Sequence, residues 1–302
     1  MAIAERTTST GAAGAQALGG AGRDRHSGAA PLDTRRYELA RYHAPGPFEP
    51  IPVLVYRRTD LPGPQPAVVY YHGVTQRKEV YVDSHPLARQ LADAGFVVAL
   101  PDAPGHGERP TAATLTDRLR HSLPREFCAD IEQSGDEAGA LYDWLAALPG
   151  VDPDRLAVAG LSMGGFTAAV VGSRLRDRLR AAVSIAGSAG LEECMAATDS
   201  IAPGKWGPPD RSIDTETRDR IARIDPLHYP DRFAPLPLLL LHGERDTWNP
   251  PTTSERFASL LAPHYAAHPE RFKHVSVPNA PHWPPTSAIV ESATAWLTTH
   301  VR

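Results

Sequence analysis

Lysine is nearly missing from this chain: only Lys78, Lys205 and Lys273 stand among 31 basic residues, against 35 acidic ones. A formal net charge of −4 supplies no broad basic field, so neither nucleic acid nor an anionic membrane surface is an expected partner. Cysteine is as scarce. Cys128 and Cys194 are too few for a disulfide framework, stand at no metal-ligand spacing, and read as small buried hydrophobes. No window approaches about 18 consecutive apolar residues, so no membrane-spanning helix is expected. Residues 1–32 lack any apolar period and are rich in Ala, Gly, Ser and Thr, the composition of a disordered tail. Their longest apolar stretch, 11–21, is broken by Gln16 and glycines, and Glu5 and Asp24 disfavour a transit peptide, so a cytoplasmic protein is expected.

What remains is an ordinary globular composition, 42% hydrophobic and 22% charged over 302 residues. Residues 33–302 read as one domain. Two extended segments, 36–43 and 51–58, flank a Pro/Gly-rich turn. Six short apolar runs follow, at 67–72, 96–101, 156–160, 181–186, 236–241 and 273–277. Runs of this length without polar alternation are strands buried on both faces, as in a parallel sheet. Helical patterns separate them: Leu87, Leu91 and Ala94 before Gly95; Leu141, Leu145 and Leu148 before Pro149; and Ile289, Ala293, Trp296 and Leu297 at the end. The fold class is therefore α/β, a mostly parallel sheet flanked by helices. Residues 187–234 are too long for an ordinary connection and read as a small cap over the carboxyl edge of the sheet.

The sharpest chemical signal is Gly160-Leu161-Ser162-Met163-Gly164-Gly165, between the run at 156–160 and a helical stretch at 167–175. A serine on a tight strand-to-helix turn projects its hydroxyl above the sheet, and the flanking glycines allow the close packing this requires. The hydroxyl needs a base. Of thirteen histidines, His282 lies in the loop after the last strand. His274 lies inside that strand, and His264 and His268 fall on the preceding helix and loop. A carboxylate must then orient the imidazole. Glu244 and Asp246 both follow the run at 236–241; Asp246 lies farther past the strand and before the turn at Trp248-Asn249-Pro250, and is preferred. The oxyanion donors expected are the Met163 N–H, at a helix start, and the Val74 N–H, in the loop after His72-Gly73. Trp206, Trp248 and Trp283 are candidate substrate-wall residues. The lone Asp and His of Asp102-Ala103-Pro104-Gly105-His106-Gly107 make no metal set, so neither metal nor cofactor is expected.

These segments, with Glu108-Arg109 and His242-Gly243-Glu244-Arg245-Asp246, resemble the α/β-hydrolases, and more narrowly the dienelactone hydrolase and prolyl-oligopeptidase-like branch, near small bacterial carboxylesterases. The chain order Ser162, Asp246, His282 is that of this fold. The resemblance covers about residues 50–300 and implies that Ser162, Asp246 and His282 are nucleophile, acid and base, with Val74 and Met163 as oxyanion hole. It implies a turn beside the site for 102–109. Ser162 stands where dienelactone hydrolase itself has a cysteine.

The expected function is a serine hydrolase that cleaves a carboxylic ester of a small-molecule acyl substrate through an acyl-enzyme. The same groups serve a thioesterase, an acyl-transferring or lactone-forming cyclase, or a small peptidase; a non-catalytic scaffold is a further alternative. Oligomeric state leaves no mark in the sequence.

Overall fold

The computed structural model describes residues 36–83, 85–109, 111, 113–197 and 212–302. The tail expected at 1–32 and the middle of the expected insertion, 198–211 with Trp206, lie outside the described residues.

Eight strands form one sheet: β1 (Tyr37–Ala44), β2 (Ile51–Arg58), β3 (Gln65–Tyr71), β4 (Val97–Pro101), β5 (Val151–Leu161), β6 (Ala181–Ile185), β7 (Leu238–Arg245) and β8 (Phe272–Pro281). Their order is β1-β2-β4-β3-β5-β6-β7-β8, with β1, β2 and β4 paired antiparallel and every later neighbour parallel. The helices are α1 (Val80–Asp83), α2 (Pro86–Asp93), α3 (Leu115–His121), α4 (Leu123–Ala146), α5 (Met163–Arg174), α6 (Leu191–Ala197), α7 (Thr215–Ile224), α8 (Pro251–Leu261) and α9 (Ser287–Val301).

The uninterrupted apolar runs are explained by cover on both faces. Val53, Val55, Val69 and Val97 face one layer with Leu141, Leu145, Ala168 and Phe257, from α4, α5 and α8. Their alternates Leu54, Tyr56, Val68 and Val98 face Leu87, Leu91, Ile289 and Leu297, from α2 and α9. Burying each Leu or Val contributes about 1.5–3 kcal/mol, so α9, polar on its outer face, is held by this one stripe. Gly95, at φ +89°, ends α2 as its position predicts.

Two strands overrun their expected ends, and both extensions matter to the site. β7 continues to Arg245 and β8 to Pro281, which carries Asp246 and His282 to the carboxyl edge of the sheet. Within 187–234, α6 and α7 pack on α4. With Val74, Met163 and Phe166 they build a third apolar cluster above that edge. Asp225 ties the segment together: its carboxylate accepts from the N–H groups of Gly190 (2.9 Å) and Leu191 (2.7 Å). Among the described residues no helix is long and apolar enough to cross a membrane.

Candidate active site

β5 passes into α5 through Ser162, which holds φ +58° and ψ −121°. This is a left-handed conformation that a side chain resists, and the surrounding packing imposes it. A Cβ on Gly160 would come within 1.8 Å of the Gly164 carbonyl oxygen, and one on Gly164 within 2.1 Å of that of Tyr71. The turn therefore packs backbone on backbone against the end of β3, which only glycine permits. Its own amide is spent inward, with Ser162 N–H donating to Ile185 O at 2.8 Å.

Ser162 Oγ lies 2.9 Å from His282 Nε2, and His282 Nδ1 lies 2.8 Å from Asp246 Oδ2. A carboxylate can only accept, so Nδ1 carries the proton and Nε2 presents its lone pair to the serine hydroxyl. Asp246 Oδ1 in turn accepts from the N–H groups of Trp248 (2.8 Å) and Asn249 (2.9 Å). Burial resists ionising Asp246, but hydrogen bonding to His242 and His282 prevails and holds its carboxyl well below the usual range. Glu244, the other acid in reach by sequence, is exposed on β7.

The other histidines weighed from the sequence lie apart from the serine. His274 Nε2 meets Ser254 Oγ of α8 at 3.2 Å, while His264 and His268 are exposed. Of the three candidate wall tryptophans, Trp248 and Trp283 are among the described residues and differ in contact. Trp248 stacks on the His282 ring, whereas Trp283 leans on His85 at 5.5 Å and is 37% exposed.

The loop after β3 is pinned on both sides of Val74. Gly73 N–H is shared between Tyr81 OH (2.9 Å) and Gln76 Oε1 (3.1 Å), and Thr75 N–H donates to His106 Nε2 (3.2 Å). His72 Nδ1 meets Gly73 O at 2.8 Å, and its Nε2 accepts from Ala103 N–H at 2.9 Å. Burial pulls the His72 imidazole down and pushes that of His106 to about 3, so both stay neutral and act as fixed acceptors. Met163 is the first residue of α5, where N–H groups have no intrahelical acceptor. A hydroxyl, its base, the base's carboxylate and two candidate amide donors thus meet at one sheet edge. That set can move a proton off serine and hold negative charge on a bound oxygen.

The model of the family described as "Prolyl oligopeptidase family" matches residues 84–301. The chain belongs to that family. YjfP of Escherichia coli, named an esterase, is 31% identical over 219 residues, covering 70% of this chain and 81% of that protein. YitV of Bacillus subtilis, provisionally named an esterase, is 28% identical over 240 residues, covering 78% and 89%. A Klebsiella pneumoniae structure, provisionally named a dienelactone hydrolase, shares the fold with a TM-score of 0.60 at 18% identity, over 86% of this chain and 98% of that one. The architecture is that of the α/β-hydrolases, and within the prolyl oligopeptidase family the chain is a serine hydrolase.

Sequence reasoning missed the charges under this family fold. Lys78, nearly fully buried, pairs with Asp102 and with Glu108 (2.8 Å), while Asp102 also accepts from Lys78 N–H (3.0 Å) and Glu108 N–H (2.9 Å). Arg109 makes a two-pronged contact with buried Glu137 (2.7 and 2.6 Å) and reaches Glu49. Lys78 braces the 102–109 turn against the segment that follows the Val74 loop, and Arg109 braces it against α4. One signal was available: the chain's rare lysine, Lys78, six residues after His72.

Proposed function

We propose that this protein hydrolyses carboxylic esters of small molecules through an acyl-enzyme on Ser162. The observation that carries the reading is the unbroken chain Ser162 Oγ–His282 Nε2 at 2.9 Å and His282 Nδ1–Asp246 Oδ2 at 2.8 Å. His282 takes the hydroxyl proton as Oγ bonds to the acyl carbon, and the carbonyl oxygen gathers negative charge. The N–H groups of Val74 and Met163 hold that charge. Collapse breaks the bond to the alkoxide, which receives the proton from His282; water then repeats the sequence on the acyl-enzyme and releases the acid.

Ester rather than amide as the scissile bond is supported by the esterase names of the two relatives. A groove of about 510 Å³ opens beside the Val74 loop, walled by Thr75, Gln76, Arg77, Gly105, His106 and Thr114. Its hydroxyl, amide and guanidinium groups suit a polar leaving group better than a long alkyl chain. The described parts of 187–234, whose Leu191, Met195, Ile221 and Ile224 cluster with Val74 and Met163, act as a cap over the site.

The family name favours one second reading, cleavage of a peptide bond by the same residues. A panel of p-nitrophenyl esters, acyl thioesters and peptide anilides, with intact-mass detection of acylated Ser162, separates the two. Ester turnover with an acyl adduct that vanishes in Ser162→Ala is expected. Dominant anilide cleavage, or undiminished turnover by Ser162→Ala, contradicts the ester reading.

A further inference from the structure

We propose that His242 is a positioning residue for the reaction, its Nε2–H fastening the turn that carries Asp246 to the end of β7 while standing against the same carboxylate oxygen that receives His282. The inference rests on the hydrolase reading above and concerns how its acid is held.

His242 is 1% exposed. Its Nε2 lies 3.0 Å from Asn249 O and 3.1 Å from Asp246 Oδ2. Both neighbours are acceptors, and a bare nitrogen would set three lone pairs against one another, so the ring proton is on Nε2. Nδ1 is then an unprotonated acceptor, buried with no partner among the described residues. A buried acceptor left unmet is costly, and a side chain used only to fill space would be better apolar. What this position uses is the single N–H.

That N–H closes a hydrogen-bonded turn. Asp246 N–H donates to Gly243 O (3.1 Å), and Asn249 Nδ2 donates to Ala186 O at the end of β6 (2.6 Å). With Oδ1 filled by the Trp248 and Asn249 amides, the turn is fixed to β6 through Asn249 and to β7 through His242. Oδ2 lies against two imidazoles, and sharing it limits how strongly it holds the His282 imidazolium. The other titratable groups facing the cluster are His274 on β8, Cys194 on α6 and Glu255 on α8, which acts on His274.

The test compares His242→Leu, which removes the N–H, with His242→Gln, which keeps a terminal N–H at similar reach. Steady-state rates are measured across pH on a p-nitrophenyl ester, with circular dichroism as the folding control. His242→Leu should lose about tenfold in kcat, as expected for losing a hydrogen bond at a charged group. Its acid limb of kcat/KM should move up by about half a pH unit, because an unshared Oδ2 favours imidazolium. His242→Gln should restore the limb and most of the rate. A wild-type limb in folded His242→Leu, or a His242→Gln that behaves as His242→Leu, overturns the proposal. If His242→Leu does not fold, the low-field proton resonance of His282 Nδ1–H in His242→Gln decides. Its wild-type position supports the role, and its displacement or loss overturns it. Failure of the underlying reading is separate: it appears as full turnover by Ser162→Ala, whatever the His242 variants do.

Discussion

The indole of Trp248 lies parallel to the imidazole of His282, with ring centroids 5.0 Å apart and planes 7° from coplanar. The amide of Trp248 also donates to Asp246, so one residue contacts both the base and its carboxylate. An aromatic face favours the cationic ring over the neutral one, and in the proposed mechanism His282 becomes cationic as it takes the Ser162 proton. Trp248→Ala should therefore lower kcat/KM by about two- to tenfold, the range of such ring pairs, and shift the acid limb downward. Trp248→Phe should retain most of the rate. A pH–rate profile identical to wild type for Trp248→Ala contradicts this role.

The fully buried Tyr81 hydroxyl fixes the loop that bears Val74, the proposed oxyanion donor, since it accepts from Gly73 N–H at 2.9 Å and donates to Gln76 Oε1 at 2.7 Å. Tyr81→Phe removes that acceptor while keeping the ring. The cost should fall on kcat with KM little changed, by roughly tenfold, less than the 10²–10³-fold of deleting an oxyanion donor outright. Binding of a boronate transition-state analogue should weaken by a similar factor. A change confined to KM places Tyr81 in substrate binding instead.

Much of this was legible in the sequence because it is local. The short apolar runs are strands covered on both faces, and Gly160 to Gly165 declare a strand–turn–helix through the glycines the close backbone packing demands. Asp246 and His282 follow from their places after β7 and β8. What stayed hidden depends on distance in the chain. The first half of α4 carries the buried stripe Leu123, Phe127 and Ile131, but the same helix also buries Asp130, Ser134 and Glu137, polar residues whose inward placement no periodicity announces. Glu137 is acceptable there only because Arg109, 28 residues away, meets it. His242 stood in the sequence only as the first residue of the His242-to-Asp246 segment, and its bond to Asn249 needs the turn to close first.

The pair of Arg109 and Glu137 predicts an asymmetric response to substitution. Arg109→Met alone leaves a buried carboxylate unpaired and should destabilise the fold by about 3–5 kcal/mol, read from urea unfolding. Arg109→Met with Glu137→Leu should recover a large part of that loss. If the double variant is less stable than either single variant, the pair contributes more than desolvation takes away.

Stability should fall toward acid pH. Burial pushes His85 and His106 to about 3, against an ordinary value of 6.5. Between those limits the unfolded chain binds more protons than the native one, so stability rises with pH and is lost as pH drops. Each of the two histidines adds to that slope. Asp130, whose carboxyl burial raises to about 7, has the opposite sign and offsets part of the slope. Thermal melts from pH 7 to 4 should show a falling Tm, steeper in Asp130→Asn. A flat or rising Tm toward acid in Asp130→Asn, where that opposing group is removed, contradicts the neutral burial of these histidines.

The most direct test of the Ser162–His282–Asp246 chain is its non-additivity. Turnover of one ester is measured for Ser162→Ala, His282→Ala and the double variant, under identical conditions and with folding verified. Groups that act as one unit should each cost roughly 10⁴–10⁶-fold alone, with little further loss together. Losses that multiply in the double variant, or a Ser162→Ala enzyme that keeps its activity, would contradict the mechanism.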